Sequence, residues 1–460
     1  MKMTVNEILE ATGGKLLFGT SSDVVTGIST DSRTVQKGNL FFALSGENHD
    51  GHRFMDEVYR KGAVAAIVQK PLRRRFFKNV IRVPDTLTAL GDLAHHWRKK
   101  FPIPVVAITG SNGKTTTKEL IASLLATRYR VLKTEGNFNN LIGLPLTLFR
   151  LDASAEIAVL EMGMNHLGEI KRLSQIAAPQ VGLITNIARA HLGEVGSLLQ
   201  ITHAKGELLE ALPQNGMALL NRDDPSFSQL KAMPSCPVIT FGEHKESTIR
   251  LSSVKRKDLR SLSFLVDLRG KRVSFQLRAV GRHNVTNALA ALAVADHLGI
   301  PVSKMKEGLQ HFNTNSKRME LISLSHKKDL LNDCYNANPD SMKASLDFMK
   351  ETGKKRRRVA ILGEMLELGK YAPTCHREIG TEAGKAGIDL LIAIGPHSQQ
   401  MIQGAKKEGV RKTFSFKTAE LAIPTVRQEM RPGDLILVKG SRGIKMEQIT
   451  ESLKEVHNAL

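Results

Sequence analysis

The chain has 460 residues, of which 41% are hydrophobic and 24% are charged, and these proportions are typical of folded domains rather than of disordered or repetitive proteins. Its 66 Lys and Arg residues outnumber its 45 Asp and Glu residues and give a net charge of +21. Aromatic residues make up only 5% of the chain, which disfavours a base-stacking surface for nucleic acid and favours an ordinary basic surface.

Length, apolar runs and cysteines narrow the class of protein further. A chain of this length predicts about three domains. The sequence contains no apolar run near the roughly 18 residues of a membrane span, so we expect no stable membrane insertion. Its cysteines, Cys236, Cys334 and Cys375, are far apart and match no disulfide or zinc pattern. We therefore predict a reduced, cytoplasmic protein, and we expect a monomer.

Three patterns follow one another along the chain. Residues 1–83 hold short strands separated by polar turns. Residues 84–313 open with a helix that ends near Pro102 and then alternate strands with helices. Residues 314–460 continue that alternation, for example with the apolar strand at 359–362. Because alternating strands and helices form parallel sheets covered by helices, we predict an α/β fold with a small N-terminal module and two larger α/β domains.

The segment VVAITGSNGKTTTKEL, residues 105–120, passes from an apolar strand through a glycine turn into a helix. It is similar to a phosphate-binding loop, but only two residues separate its glycines, and Ile108 stands where the standard pattern has the first glycine. The N-terminus of the helix would still offer free N–H groups to phosphate. Lys114 would reach the β- and γ-phosphates, and Thr115 or Thr116 would contact Mg²⁺. We interpret the segment as a working nucleotide loop rather than as a tight turn with a surface lysine.

Two later strands end in side chains that suit a nucleotide site. Glu161 closes the apolar strand in IAVLEMG, where a carboxylate can hold Mg²⁺ or form a structural ion pair. Asn186 and His191 follow the strand in VGLITNI. Because doubly wound sheets bind ligands at the carboxyl ends of their strands, we expect these side chains to converge on one crevice.

Three polar segments in the second half of the chain carry further candidates. Asn284 and Asn287 lie three residues apart near the start of a helix and would reach a base or sugar, or else act as turn residues. The loop NDCYNANPDSM at 332–342 concentrates polar groups that a ligand would satisfy. Lys439 and Arg442 follow another strand and would bind an anion, although a basic turn fits that pattern nearly as well.

Together these segments resemble the Mur ligase family, the ATP-dependent amide-forming enzymes of peptidoglycan assembly. The resemblance extends over essentially all 460 residues and rests on motifs in the family's order: GSNGKTT, EMGMNHLGEI, TNIARAHL, ITHAKGE, GRHNVTNALAA, YNANPDSM and VKGSRG. The shortened glycine loop is itself typical of the family. The resemblance implies a small α/β uridine-nucleotide-binding domain at 1–83, a central P-loop ATPase-like parallel sheet at 84–313 and a C-terminal Rossmann-like α/β domain at 314–460.

The YNANP motif is similar to that of family members that add D-alanyl-D-alanine to UDP-N-acetylmuramoyl-tripeptide. The resemblance therefore implies an ADP-forming ligase that uses ATP to convert the tripeptide carboxylate into an acyl phosphate, which the amine of the dipeptide then attacks. ATP and Mg²⁺ are the implied cofactors. Two Mg²⁺ ions are expected, one of them held by Lys205 after carbamylation by CO₂. The implied partners are these small-molecule substrates and not nucleic acid.

The resemblance also assigns roles to individual residues. ATP is expected to contact Thr109, Gly110, Ser111, Asn112, Gly113, Lys114, Thr115, Thr116, Asn284, Asn287, Arg318 and Asp333. The UDP-linked substrate is expected to contact Ser29, Thr30, Asp31, Ser32, Arg33, Ser45, Gly46, Asp50, Gly51 and His52. The peptide and dipeptide are expected to contact Tyr335, Asn336, Asn338, Ser341, Lys439 and Arg442. The expected catalytic residues are Lys114, Lys205, His191 and Glu161, and the expected metal ligands are Thr115, Glu161, His191 and Lys205.

Two positions depart from the family's pattern, and three alternatives stay open. Arg189 replaces a smaller residue or proline in TNIARAHL, and Ala190 stands where several members carry an acidic residue. Folylpolyglutamate synthase shares the central fold but lacks the uridine-binding module, whereas 109 residues precede Gly110 here. Another amino-acid-adding Mur ligase would share that module, but the sequence shows no DNPR-type motif of the kind that holds the added amino acid in such relatives. A basic P-loop ATPase acting on nucleic acid would explain the charge but gives no role to STDSR at residues 29–33 or to YNANP at residues 335–339.

Overall fold

The computed structural model of the chain describes residues 1–46, 49–70, 77–190, 192–312, 317–353 and 355–458. The predicted boundary between residues 313 and 314 falls outside these ranges. Within them, no helix is both long and apolar enough to cross a membrane. The larger sheets of the described ranges have five, nine and six strands and follow one another along the chain.

The N-terminal part combines a five-stranded sheet, a separate two-stranded antiparallel sheet formed by its first and third strands, and flanking helices. Its strands are β1 Met3–Thr4, β2 Lys15–Phe18, β3 Val24–Val25, β4 Gly27–Ser29, β5 Asn39–Phe42, β6 Ala65–Val68 and β7 Asn79–Arg82. Its helices are α1 Val5–Thr12, α2 Met55–Arg60 and α3 Thr86–Lys99, with a 3₁₀ helix at Gly51–Phe54. Strands β4 to β7 are parallel in the order β7-β6-β5-β4, and β2 joins β7 in the antiparallel direction. The carboxyl ends of β4, β5 and β6 therefore adjoin at one edge.

The central part is a larger sheet. Its strands are β8 Val105–Thr109, β9 Val131–Lys133, β10 Ile157–Glu161, β11 Val181–Ile184, β12 Met217–Asn221, β13 Val238–Gly242, β14 Ile249–Arg256, β15 Leu262–Leu268 and β16 Lys271–Leu277. Its helices are α4 Lys114–Leu125, α5 Gly143–Leu148, α6 Glu169–Ala177, α7 Leu192–Val195, α8 Leu198–Glu210, α9 Phe227–Lys231, α10 His283–His297 and α11 Val302–His311. Parallel pairing joins the strands from β9 through β10, β8, β11, β12 and β13 to β14. Strand β8 lies between β10 and β11, so the carboxyl ends of these three strands meet.

Strand β8 shows how the apolar sequence packs both faces of this sheet. Successive side chains of a strand point to opposite faces. Val105 and Ala107 contribute to a core that contains buried residues of α3, α6 and α8. Val106 and Ile108 contribute to a second core with buried residues of α4, α10 and α11. Because helices cover both faces, the strand is continuously apolar rather than alternating.

The C-terminal part is a third sheet. Its strands are β17 Glu320–Leu324, β18 Lys328–Asp333, β19 Arg358–Gly363, β20 Leu390–Ile394, β21 Lys412–Phe416 and β22 Leu435–Lys439. Its helices are α12 Pro339–Thr352, α13 Ala372–Lys385, α14 Ser398–Lys407, α15 Ala419–Glu429 and α16 Glu447–Asn458, with 3₁₀ helices at Gly369–Tyr371 and Arg442–Ile444. The order is β17-β18-β22-β19-β20-β21, and only the β17–β18 pairing is antiparallel. The carboxyl ends of β18 and β22 lie side by side.

The predicted alternation of strands and helices is wrong for residues 249–277. There β14, β15 and β16 form an antiparallel meander at the edge of the central sheet. Strand β15 buries every second residue, from Leu262 to Leu268, so one face meets the core and the other does not need a covering helix. Arg269 and Gly270 both have positive φ, which is the conformation of a tight hairpin turn.

Candidate active site

The glycine loop between β8 and α4 is a tight turn that requires both of its glycines. Gly110 and Gly113 have φ values of +144° and +80°, which side-chain-bearing residues rarely adopt. A Cβ atom at Gly110 would overlap Thr185 Oγ1, and one at Gly113 would overlap Asn287 Oδ1. The backbone can therefore follow this path only with glycine at both positions.

The segment after β11 holds the glycine loop in place. The Ser111 N–H donates to the carbonyl oxygen of Asn186 (2.9 Å), and the Asn112 N–H donates to Asn186 Oδ1 (3.0 Å). Thr185 Oγ1 donates to the carbonyl of Asn112 (2.6 Å), and Ser111 Oγ donates to that of Ala188 (3.1 Å). These bonds preorganise the loop, so the N–H groups at the start of α4 are presented at a fixed edge of the sheet.

Lys114, the first residue of α4, folds its side chain over the loop. Its Nζ donates to the carbonyl oxygen of Gly110 (2.7 Å). Burial lowers the pKa of this ammonium, while the nearby charge of Glu161 acts in the opposite direction. A cation in this position, beside a helix N-terminus, suits the phosphates of a nucleotide.

Glu161 is buried at the end of β10 and has one unused oxygen. Its Oε1 accepts a hydrogen bond from Asn139 Nδ2 (2.8 Å), whereas Oε2 is buried with no hydrogen-bond partner in the described part of the chain. The Thr115 side chain is also buried, and both residues line the same cavity. A buried carboxylate oxygen without a partner is costly unless a cation satisfies it, and Mg²⁺ prefers oxygen ligands. The residues present therefore fit the expected Mg²⁺.

Lys205 lies on α8 with only 1% of its surface exposed. Its Nζ has no hydrogen bond or ion pair with any described residue. The equally buried Lys118 differs, because its Nζ donates to the carbonyl of Thr134 (2.6 Å) and pairs with Glu119 (3.0 Å). Burial, together with the positive charge of Lys114, lowers the pKa of Lys205 well below its ordinary value. The geometry thus favours a neutral amine at Lys205 near the nucleotide loop.

Asp333 and Lys439, two residues of the C-terminal sheet that are predicted to contact ligands, are bound to each other. Asp333 ends β18, Lys439 ends β22, and the two residues are paired in register. Lys439 Nζ donates to Asp333 Oδ2 (2.6 Å) and to the carbonyl of Asn336 (3.1 Å). Ser345 Oγ also donates to Asp333 Oδ2 (2.8 Å). This buried pair fixes the wall of the site, and the contacts of Asp333 with ATP and of Lys439 with peptide remain predictions.

Two guanidinium groups lie over the ring of Tyr335. The Cζ of Arg318 is 3.8 Å from the centre of the Tyr335 ring, and the Cζ of Arg442 is 5.7 Å from it. Such stacking orients a guanidinium group without using its N–H donors, which stay available to an anionic ligand. Arg442 and Tyr335 line a small cavity beside the main one.

The central and C-terminal sheets share one cavity of about 1050 Å³. The predicted residues that line it are Ser111, Asn112, Gly113, Lys114, Thr115, Thr116, Glu161, Asn284, Asn287, Arg318, Asp333, Tyr335, Asn336, Asn338, Ser341 and Lys439. Thr109, Gly110 and Lys205 do not line it, and His191 lies outside the described residues. The amide of Asn287 donates to Asn284 Oδ1 (3.0 Å), and the amide of Asn284 donates to the carbonyl of Val280 (2.7 Å). One donor of each amide is therefore used within the protein.

The predicted uridine-nucleotide residues gather at one edge of the N-terminal sheet. Ser29 ends β4, and residues 30–33 form the turn that follows. The Ser29 hydroxyl donates to the carbonyl of Asp31 (2.8 Å). The Arg33 guanidinium binds Asp31 Oδ2 (2.6 Å) and lowers the pKa of that carboxyl to about 2, although the Arg33 side chain is 84% exposed. The turn therefore presents a preformed, accessible cation.

The second uridine segment lies after β5 at the same edge. Ser45, beside Gly46, donates its hydroxyl to Asp50 Oδ1 (3.3 Å), which also lies 2.7 Å from His52 Nδ1. Lys70, just after β6, donates to Asp50 Oδ2 (2.8 Å) and lowers the pKa of that carboxyl. A Cβ atom at Gly51 would lie 2.9 Å from the backbone of Ala43 and Leu44, which follow β5, so the chain packs closely there.

Sequence reasoning missed several residues that the fold brings to these sites. Asn139, which binds Glu161, comes from the asparagine-rich loop at 136–143 after β9, and that composition was the available signal. Lys70 comes just after an apolar strand and Lys439 ends one, so the rule that pointed to Lys439 could also have found Lys70. Glu367 lines the main cavity, but nothing in its local sequence distinguishes it.

The two α/β sheets are tied directly across the cavity. Asn338 Nδ2 donates to Asn112 Oδ1 of the glycine loop (2.7 Å). Arg189 donates its backbone N–H to Asp340 Oδ2 (2.9 Å) and its Nη1 to Glu378 Oε2 (2.8 Å). Arg189, which departs from the family's pattern, therefore binds the C-terminal part of the chain.

We expect Arg189→Ala to lower kcat by less than about fivefold, because the exposed pair with Glu378 contributes roughly 0.2–1 kcal/mol while the backbone bond to Asp340 survives. Steady-state kinetics of the single variants Arg189→Ala and Glu378→Gln and of the double variant would measure how strongly the two side chains are coupled in their effect on kcat. A hundredfold or larger decrease in kcat for Arg189→Ala would show that the guanidinium acts on the reacting groups and does not merely join the two domains.

A glycine loop at a helix N-terminus, a buried strand-end carboxylate and a cavity shared by two α/β sheets are the features of a nucleotide-binding enzyme. Family models match most of the chain: the catalytic domain of the Mur ligase family at 24–98, the Mur ligase middle domain at 108–295 and the Mur ligase glutamate ligase domain at 317–442. The chain belongs to the Mur ligase family.

Full-length relatives support the same assignment. The UDP-N-acetylmuramoyl-tripeptide–D-alanyl-D-alanine ligase of Bacillus subtilis (strain 168) is 36% identical over 99% of each chain. The crystal structure of MurF from Acinetobacter baumannii matches with a TM-score of 0.92 and 31% identity over 99% of each chain. The MurF ligase of Thermotoga maritima in complex with ADP matches with a TM-score of 0.84 and 26% identity, over 95% of this chain and 98% of that one. The predicted family and the predicted three-domain α/β fold are confirmed.

Proposed function

We propose that the protein is an ATP-dependent, ADP-forming ligase that joins D-alanyl-D-alanine to UDP-N-acetylmuramoyl-tripeptide in peptidoglycan precursor synthesis. The observation that carries the proposal is the shared cavity, where the glycine loop and Glu161 face the polar loop at 335–341. The Bacillus subtilis relative carries the name of this activity, and the Thermotoga maritima relative binds ADP.

The reaction requires two nucleophilic displacements in that cavity. A carboxylate oxygen of the tripeptide attacks the γ-phosphorus of ATP, and ADP leaves with the electrons of the broken P–O bond. The dipeptide amine then attacks the acyl carbon of the resulting acyl phosphate, loses a proton and expels phosphate with the electrons of the C–O bond. Lys114 and the N–H groups at the start of α4 stabilise the negative charge that accumulates. Enclosure between two domains limits hydrolysis of the acyl phosphate by water.

Thr115 and Glu161 would hold Mg²⁺ beside the nucleotide. When bound, Mg²⁺ neutralises phosphate charge and orients the transferred group. The unpartnered Oε2 of Glu161 supports this assignment. His191, the other predicted ligand in this group, lies outside the described residues.

Lys205 would supply a further metal ligand after reaction with CO₂. Its neutral amine adds to the carbon of CO₂, a new N–C bond forms, and one proton is released to leave a carbamate anion. Only the neutral amine can react, and the lowered pKa of Lys205 supports that form. The carbamate would provide anionic oxygens for a second Mg²⁺.

Several expectations complete the proposal. The N-terminal edge formed by residues 29–33, 45, 46 and 50–52 binds the UDP-linked substrate, and the residues at 335–341 with Arg442 receive the peptides. The domains are proposed to divide at 83/84 and 313/314. The enzyme is proposed to be a cytoplasmic monomer that acts on small molecules and has no nucleic-acid partner.

A phosphate-release assay tests this function. We expect ATP-dependent release of phosphate only when Mg²⁺, UDP-N-acetylmuramoyl-tripeptide and D-alanyl-D-alanine are all present. Omission of each component in turn gives the matched controls, and mass spectrometry of the UDP-linked product identifies the new amide. Turnover with a folate and glutamate, or stimulation by nucleic acid in the absence of dipeptide, would contradict the proposal.

Arg33→Ala is expected to raise KM for the UDP-tripeptide roughly tenfold, the effect of losing one hydrogen bond to a charged group. KM for ATP should change little, because Arg33 lies on the N-terminal sheet and the glycine loop on the central one. Steady-state kinetics with each substrate varied separately would measure both constants, with Arg411→Ala on the exposed C-terminal surface as the control. An increase in KM for ATP alone would show that the uridine site is misassigned.

A further inference from the structure

His376 is a fully buried histidine that lies outside the predicted site. It belongs to α13, and both of its ring nitrogens are engaged. Its Nδ1 lies 2.7 Å from the carbonyl oxygen of Ala372, which can only accept a hydrogen bond, so Nδ1 carries the proton. Its Nε2 accepts a hydrogen bond from the backbone N–H of Met365 (3.0 Å). This pattern requires the neutral imidazole, because a protonated Nε2 could not accept.

The bond to Met365 fixes the loop at 364–369, which follows β19. Leu366, Glu367 and Leu368 from this loop line the main cavity. The Leu366 N–H donates to Ser441 Oγ (3.0 Å), and the Ser441 N–H donates to the carbonyl of residue 364 (3.0 Å). The loop is therefore held from two sides, by the imidazole in α13 and by the segment after β22.

The same loop also contacts the central domain. The Gly193 N–H of α7 donates to the carbonyl of Glu367 (2.8 Å). The two backbones approach so closely that a Cβ atom at Gly193 would lie 2.6 Å from the backbone nitrogen of Gly369. A shift of the loop would therefore move the cavity wall and the contact between the two domains together.

We infer that His376 is a positioning residue for ligation, which holds the 364–369 loop through the N–H of Met365. The inference rests on the proposed function for its effect on turnover. His376 lines neither cavity, so its effect on ligation passes through the loop that it holds. Because an error of about 1 Å in the placement of reacting groups can lower a rate roughly a hundredfold, loss of this bond should reduce kcat strongly.

Two charged or titratable side chains face the imidazole. Glu364 Oε1 lies 3.2 Å from His376 Nε2 and 2.6 Å from His397 Nδ1, and the two imidazole rings stack at 5.0 Å with an angle of 26°. Hydrogen bonds join these side chains to one another and to the backbone of Met365 and Ala372, so the cluster is a hydrogen-bonded network.

The network makes the loop sensitive to acid. Burial lowers the pKa of His376 below its ordinary value of 6.5, Glu364 acts in the opposite direction, and His397 lowers it again. The neutral, accepting form therefore prevails at neutral pH. As the pH falls through this lowered pKa, Nε2 gains a proton, the bond from Met365 is lost, and Glu364 becomes the new acceptor. Turnover should accordingly fall on the acid side of neutrality.

Two substitutions of His376 separate positioning from simple packing. His376→Gln keeps an acceptor that can reach the Met365 N–H but does not titrate, whereas His376→Leu fills the space without an acceptor. We expect His376→Leu to lower kcat roughly 10- to 100-fold with little change in KM for ATP. We expect His376→Gln to recover most of kcat and to lose the acid-side decline. His311→Gln, an exposed histidine at the end of α11, is the matched control.

Hydrogen–deuterium exchange of the peptide covering 364–371 supplies a readout that does not depend on activity. His376→Leu should exchange faster than wild type there, and His376→Gln should not. Unchanged exchange in His376→Leu would overturn the inference. Where that variant fails to fold, an acid-side decline in His376→Gln identical to that of wild type would overturn it. Absence of ligation by the wild-type protein would reject the proposed function, while the exchange result still decides the inference.

Discussion

Lys205→Ala is expected to reduce ligation nearly to background while the protein stays folded. The wild-type lysine is 1% exposed, and its Nζ has no partner among the described residues, so removing it removes no described hydrogen bond or ion pair. In the proposed mechanism, however, its carbamate is the ligand for one of two Mg²⁺ ions. Its loss should therefore act on kcat, measured by phosphate release, and leave the thermal unfolding midpoint largely unchanged.

Short carboxylic acids should partly restore the Lys205→Ala enzyme, because acetate can place a carboxylate in the space that the carbamate would occupy. Lys118→Ala is the matched control. Lys118 is equally buried, but it binds Thr134 and Glu119, so its removal should lower the unfolding midpoint, and acetate should restore nothing.

Direct detection of the carbamate complements the rescue experiment. Wild-type protein equilibrated with ¹³C-labelled CO₂ should give a carbamate signal in ¹³C NMR that is absent from Lys205→Ala. An unmodified Lys205 in a metal-bound crystal, together with no rescue at any acetate concentration, would contradict the proposed modification and leave this residue as an unpaired buried amine.

Lys114→Ala is expected to lower kcat by roughly 10²–10³, the loss that follows removal of one preorganised charge-stabilising donor. The ammonium lies over the glycine loop, 2.7 Å from the carbonyl of Gly110, and the loop itself is held by Thr185 and Asn186. The loop should therefore keep its shape without the lysine, and the effect should appear in turnover rather than in stability.

Single-turnover kinetics of phosphate release, with circular dichroism to verify folding, would measure the effect of Lys114→Ala. Lys171→Ala, at an exposed position of α6, is the control that removes a positive charge from the same domain. Wild-type turnover in a folded Lys114→Ala protein would rule out a role for this lysine in phosphoryl transfer.

The parts of the site that could be predicted from sequence depend on contacts between near neighbours in the chain. The glycine loop is such a part, because Gly110, Gly113 and Lys114 follow one strand directly and begin the next helix. The start of α12 is another, since Asn338 caps the helix by accepting from the Ser341 N–H only three residues away. Patterns of this kind consist of residues that are close together in the sequence, and they were sufficient to indicate the family and its α/β fold.

The remaining features depend on how distant strands and helices pack, which local patterns do not encode. The meander of β14 to β16 forms because the edge of the sheet has only one buried face. Asn139 reaches Glu161, and Arg189 reaches Glu378, only after separate elements have docked.

By itself, the sequence determined the order of strands and helices around the glycine loop, the carboxylate at the end of β10 and the family. Only the tertiary structure decided which charges are buried, paired or left without a partner. Lys118 and Lys205 both lie in helices of the central domain, yet packing gives one lysine an acceptor and a carboxylate and gives the other no described partner. The physical reason is that desolvation and pairing depend on all the neighbours in space, and these two terms set both the pKa of a buried group and the chemistry open to it.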